Sequence, residues 1–265
     1  MEIILVRHSI AQGNPERRFL GVTDTPLLPE GIALAERRAA AMPPVEHVYV
    51  SPLRRARETA ALLWPCIPET IVPGLREMDF GAFENRTHAE LVAANDRAYL
   101  EWLAQERWDG YPGGETFSAM RMRVAAAFED SLFDADRRGC RRVGMVAHGG
   151  TILFLLERYT DVRTDFGANR TENCGGFFLS VERSREGVRF MACMRLEKDP
   201  WVRIRKKKGE AKRPAQSRYW LEVKAFQSVR PVRSTGKPDG NTSLTPNLPS
   251  PIRRCGNRAY RLCFL

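Results

Sequence analysis

The chain has 265 residues, 43% of them hydrophobic, which is enough to bury a substantial core and excludes wholesale disorder. Its formal charge is +10, but the excess is confined to one end: residues 1–195 hold 25 Arg and no Lys against 27 acidic residues, whereas residues 196–265 hold 17 basic residues against five acidic ones. No apolar run approaches the roughly 18 residues a bilayer span needs, and the six cysteines form no CxxC pair, which points to a reduced, cytoplasmic compartment without structural zinc.

In chain order, Glu2–Arg7 is a continuous apolar run flanked by charge, the pattern of a strand covered on both faces rather than of a signal peptide. The spacing of apolar and alanine positions predicts a helix over Leu27–Met42 and a short strand over Val45–Val50. Ser51-Pro52 reads as the N-cap and first residue of a helix running to about Trp64. Glu69–Val72 suits a third strand, stopped by Pro73-Gly74. Residues 84–137 read as three helical segments, Thr87–Asn95, Arg97–Arg107 and Thr116–Ala135, broken by a glycine-rich turn. Arg142–Ala147 is another apolar strand and Gly149–Tyr159 a helix leaving its end. Gly176–Val181 and Val188–Cys193 form a terminal strand pair. Strands alternating with helices predict a three-layer α/β/α sandwich with a mainly parallel sheet over residues 1–198. Residues 199–265 are basic and Pro-rich, the composition of a mostly disordered extension.

Ligands bind such sheets at the carboxyl ends of the strands. Three predicted strands end there in polar residues: Arg7-His8, Ser51 leading to Arg54-Arg55, and His148-Gly149-Gly150. Guanidinium forks match phosphate geometry, histidine serves as nucleophile or acid, and a glycine pair at a helix start favours bound negative charge. Together they describe a phosphate pocket containing two histidines.

Leu5-Val-Arg-His-Ser-Ile-Ala-Gln-Gly-Asn14 resembles the signature of the histidine phosphatase (phosphoglycerate mutase-like) superfamily. Ser51-Pro-Leu-Arg-Arg-Ala-Arg-Glu-Thr-Ala60, Leu75-Arg-Glu-Met-Asp-Phe-Gly-Ala-Phe-Glu84 and Val146-Ala-His-Gly-Gly-Thr151 resemble its later motifs, in family order. The resemblance implies that His8 attacks phosphorus, that Arg7, Arg55 and His148 hold the phosphoryl oxygens, and that Asn14 hydrogen-bonds the same group. It implies that Glu77 protonates the leaving oxygen and then activates water, with Asp79 and Glu84 as weaker candidates for that role. Gly149, Gly21 in the Arg17–Leu27 segment and Glu115 after Gly113-Gly114 are carried over as substrate contacts. No metal and no other cofactor is expected, and the partner is a small phosphomonoester.

The chain departs from the family pattern at Ser9 and Asn85, where glycine is usual, and at Ala11, where threonine is usual. The phosphoglycerate mutases of this family carry longer insertions, so the resemblance favours hydrolysis. It leans toward the α-ribazole phosphatase branch, which shades into broad-specificity sugar-phosphate phosphatases. Mutase-type transfer and a non-catalytic phosphate-binding role are the alternatives. The run Arg203–Lys208 has the charge to bind nucleic acid or an anionic membrane surface, but its Pro-rich surroundings favour a solvated extension. Substrate identity and oligomeric state are not legible.

Overall fold

A computed structural model describes residues 1–104, 109–159, 171–184 and 187–196 of the chain. The basic extension 199–265, with its 203–208 run, and the end of the Arg97–Arg107 segment lie outside the described residues. Six strands form one sheet: β1 (Glu2–Arg7), β2 (His47–Val50), β3 (Glu69–Ile71), β4 (Arg142–Ala147), β5 (Gly176–Ser184) and β6 (Gly187–Leu196). Their order is β3-β2-β4-β1-β5-β6. The first four pair in parallel, while β5 runs antiparallel to β1 and β6 antiparallel to β5.

Six α-helices lie among the described residues: α1 (Pro29–Ala39), α2 (Arg54–Leu63), α3 (His88–Ala93), α4 (Arg97–Ala104), α5 (Phe117–Arg137) and α6 (Gly149–Tyr159). Side chains alternate across a strand, and the core divides accordingly. Ile3, Leu5, Tyr49, Val143 and Met145 join the core on the α5–α6 side, with Phe128 and Leu155. Ile4, Val6, Val48, Val50 and Val146 join the core on the α1–α2 side, with Ala35, Ala56 and Leu63. Among the described residues, no helix is long and apolar enough to cross a membrane.

One sequence expectation fails at a telling place. Helix α2 starts at Arg54 with Leu53 as its cap residue, not at Ser51-Pro52. The Ser51 N–H instead donates to the Val146 carbonyl, so the residue still belongs to the end of the sheet and its hydroxyl turns elsewhere. Serine as N-cap was a competing use of the same hydroxyl, and the tertiary partner won. Thr87 and Thr116 do cap α3 and α5, with a full capping box at Thr87 and Glu90.

Candidate active site

Strand register brings the predicted residues together. Arg7 pairs with Ala147 and Val50 with Val146, so His8, Ser51 and His148 each follow a strand end at one level of the sheet. The His8 N–H donates to the Ala147 carbonyl at 3.0 Å, and the two histidine rings lie 5.1 Å apart. Their strands are neighbours, but the chain leaves β1 toward α1 and leaves β4 into α6, on opposite faces of the sheet. The loops therefore part between them, which opens a crevice at that point.

His8 is buried, and its Nδ1 lies 2.7 Å from the Ser9 carbonyl oxygen. A carbonyl only accepts, so Nδ1 carries the proton and Nε2 keeps its lone pair. Burial first, then the Arg55 and Arg7 charges, hold the His8 pKa well below its usual range. The ring is thus neutral and nucleophilic at neutral pH. His148 is equally buried and held low mainly by burial, then by Arg55. Its Nε2 lies 2.7 Å from the Ser51 hydroxyl, while its Nδ1 is buried with no hydrogen-bond partner among the described residues.

Arg55 is fully buried, and among the described residues no carboxylate is directly bonded to it. Its guanidinium donates to the carbonyls of Thr23 (2.7 Å), Gly21 (2.8 Å) and Leu20 (3.2 Å), while Nε is buried with no hydrogen-bond partner among the described residues. A buried cation needs compensation, and an unfilled N–H in a basic crevice is suited to an anion. Arg7 donates to the Thr171 carbonyl at 2.6 Å. A Cβ on Gly149 would sit 3.7 Å from Arg7 Nε, so that glycine lines the arginine's flank of the crevice.

Glu77 is buried, with Oε1 accepting from the Met78 N–H (3.0 Å) and Oε2 from the Gly150 N–H (2.9 Å) at the start of α6. Burial raises its pKa; the two N–H bonds and the Arg55 and Arg7 charges partly offset that rise. Its two rivals are engaged otherwise. Asp79 accepts from the Gly81 N–H, and Glu84 accepts from the N–H groups of Gly21, Val22, Thr23 and Phe80 and from the Thr23 hydroxyl.

Three further candidates take supporting positions here. Asn14 uses its Oδ1 to accept from the Ala11 N–H (2.9 Å) and from Asn173 (3.2 Å). Gly21 is sterically compelled, since a Cβ would lie 2.0 Å from the Met78 carbonyl oxygen, and its own carbonyl holds Arg55. Glu115 pairs with Arg123 (2.6 Å) and Arg76 (3.2 Å) rather than facing the histidines. Arg123 also donates to the Gly74 and Arg76 carbonyls, so this pair braces the loop carrying Glu77.

Asn173, unremarked in the sequence, donates within reach of the His8 and Ser9 carbonyls and the Asn14 amide oxygen. Its only signal was a polar turn before an apolar strand, which marks hundreds of ordinary loops. The departures from the family pattern also resolve. Asn85 has φ 57°, a left-handed conformation that asparagine tolerates nearly as glycine does. The Ser9 hydroxyl donates to the Gly31 carbonyl.

The family model of the histidine phosphatase superfamily (branch 1) matches residues 3–193. The chain is 31% identical over 164 residues to the adenosylcobalamin/alpha-ribazole phosphatase of Salmonella typhimurium, covering 60% of this chain and 79% of that protein. It is 33% identical over 137 residues to a probable phosphoglycerate mutase GpmB of Enterobacter sp., covering 50% of this chain and 63% of that one. The solved structure of the alpha-ribazole phosphatase from Shigella flexneri superimposes with a TM-score of 0.61 at 25% identity, over 72% of this chain and 94% of that chain. With its four motifs at one crevice and this match across residues 3–193, the chain belongs to the histidine phosphatase superfamily and is a phosphatase.

Proposed function

We propose that the chain hydrolyses a small phosphomonoester through a phosphohistidine at His8, without a metal. The observation that carries this reading is the Ser9 carbonyl on His8 Nδ1, which leaves Nε2 as the one ring nitrogen able to attack. Nε2 forms a bond to phosphorus while the ester P–O bond breaks, and the Glu77 carboxyl gives its proton to the departing oxygen. Arg7, Arg55 and His148 offset the charge on the phosphoryl oxygens as it shifts. Water then attacks the phosphohistidine, Glu77 takes its proton, and phosphate leaves with the His8 lone pair restored.

Catalysis belongs to residues 1–198 in this reading, and the extension 199–265 stands outside the reaction. A chain ending at residue 198 should keep full turnover; loss of turnover would bring the extension into the catalytic unit. For the substrate, the relatives named for alpha-ribazole and the motif Leu-x-Glu-x-x-Phe-Gly support α-ribazole phosphate or a sugar phosphate. The GpmB relatives support phosphoryl transfer between substrate hydroxyls as the second reading.

The test is phosphate release by the full chain, with chelator present, across α-ribazole phosphate, sugar phosphates, phosphoglycerate and an aryl phosphate. Phosphate release from one ester far above the others, with acid-labile label on the protein lost in His8→Ala, is the expected result. Isomerised phosphoglycerate with little free phosphate would favour the mutase reading. Label persisting in His8→Ala would refute His8 as nucleophile.

A further inference from the structure

The hydroxyl of Ser51 is spent on neither helix capping nor solvent. Ser51 is fully buried, its backbone N–H completes the ladder to Val146, and its Oγ lies 2.7 Å from His148 Nε2. Its other close polar neighbour is the Leu53 N–H, which donates to Oγ at 3.4 Å and so occupies an acceptor lone pair. Oγ keeps a second lone pair, and its hydroxyl hydrogen is free to point at the imidazole. On the far side of the ring, His148 Nδ1 is buried with no partner among the described residues, in a crevice shared with His8 and the two arginines.

A neutral imidazole carries one proton, and its position decides what the ring offers a phosphate. With the proton on Nε2, Ser51 would accept it, and Nδ1 would turn a lone pair toward electron-rich phosphoryl oxygens. With the proton on Nδ1, the hydroxyl of Ser51 donates to Nε2 and Nδ1–H becomes a donor in the crevice. Either direction of the Ser51–His148 hydrogen bond fits the same 2.7 Å, and the choice turns on what the unfilled Nδ1 presents to a phosphoryl oxygen.

We propose that Ser51 is a positioning residue that donates its hydroxyl to His148 Nε2 and so fixes the His148 proton on Nδ1, the nitrogen presented to the phosphoryl group. This inference rests on His148 acting as a phosphoryl ligand. Ser51 touches neither substrate nor the reacting atoms; it acts through the ring. Methyl-bearing threonine preserves the hydroxyl, whereas alanine removes the one group that distinguishes the two nitrogens.

The experiment is long-range proton–nitrogen correlation on full-length protein with ¹⁵N-labelled histidine, with and without inorganic phosphate. The chain has four histidines, and His148→Gln identifies the signal. The wild type is expected to carry the His148 proton on Nδ1. Ser51→Ala should release it to Nε2 or to exchange between the two, with kcat falling on the order of 10²- to 10³-fold, as for loss of one donor to a developing charge. Ser51→Thr should restore both. A wild-type proton on Nε2, at the signal that His148→Gln assigns, overturns the proposal. Ser51→Ala that only lowers Tm, with tautomer and kcat unchanged, overturns it equally. Absence of turnover in the wild type would instead defeat the phosphatase reading, while the tautomer would still be readable.

Discussion

The crevice at the strand ends and the aromatic cap beside it are both buried, yet one is built of imidazole, guanidinium and carboxyl groups and the other of aromatic rings. In the cap, Phe19, Phe80, Phe83, Tyr99, Trp102 and Tyr111 meet edge to face or stacked, with centroids such as Phe80–Tyr111 at 4.7 Å and Phe83–Tyr99 at 5.0 Å. Its indole N–H donates to the Gly110 carbonyl, and the Tyr99 hydroxyl meets His88 Nδ1. In the crevice, Arg55 Nε and His148 Nδ1 are buried with no partner among the described residues. Unmet buried donors cost stability, so a fold that keeps them beside two arginines and two histidines is arranged for an anion. The cap contributes packing energy and the crevice contributes chemistry.

Substitutions should separate these two roles. The largest effect after loss of His8 itself is expected from Glu77→Gln, which should slow esters with poor leaving groups by about 10²- to 10⁴-fold and aryl phosphates far less. Equal slowing of both would remove Glu77 as the leaving-group acid. Its pH signature follows from direction. The His8 pKa is held well below 6.5, so activity should persist as pH falls below 6.5 until the ring protonates. Burial raises the Glu77 pKa above the usual carboxylate range, so its acid form, and turnover of poor leaving groups, should persist above pH 4.5 and decline as pH rises through that raised pKa. That alkaline limb should vanish in Glu77→Gln, which distinguishes it from ionisation of the phosphate substrate near pH 6.

In the cap, Trp102→Ala removes a buried indole and should cost about 3–5 kcal/mol of unfolding free energy in a denaturant titration. Turnover of an aryl phosphate by the folded fraction should stay close to wild type; a matching loss of kcat would merge the two regions. The smallest effect links them. Glu84 holds the 21–23 loop whose carbonyls grip Arg55, and glutamine can accept through one oxygen only. Glu84→Gln should cost about 1.5–3 kcal/mol of stability. It should also raise KM for the phosphomonoester more than it lowers kcat, because Arg55 is misplaced rather than lost. An unchanged KM would reduce Glu84 to a loop staple.

Much of the site could be read along the chain because its parts sit at strand ends. A run such as Ile3–Val6 declares a strand covered on both faces, and the residue after it declares the carboxyl edge. Glu77 was harder, with Asp79 and Glu84 close by in one motif. Motif position already ranked Glu77 first, and the fold sets them apart by contact, since Glu84 is taken up by loop N–H groups while Glu77 lies against the start of α6, 73 residues away at Gly150. The same holds for Glu115, whose position after two glycines suggested a pocket contact but whose nearest partners are Arg123 and Arg76.

The linear order of residues therefore determined the strands, the helices and the set of groups that converge, because periodicity and strand ends are local properties. The tertiary structure alone decided what each converged group touches. Ser51 could cap α2 or meet His148, and Asn173 was one polar turn residue among many, until the parallel register of β1, β2 and β4 set their neighbours. A hydrogen bond's partner is a property of three-dimensional position, and proton placement on His8 and His148 follows from those partners.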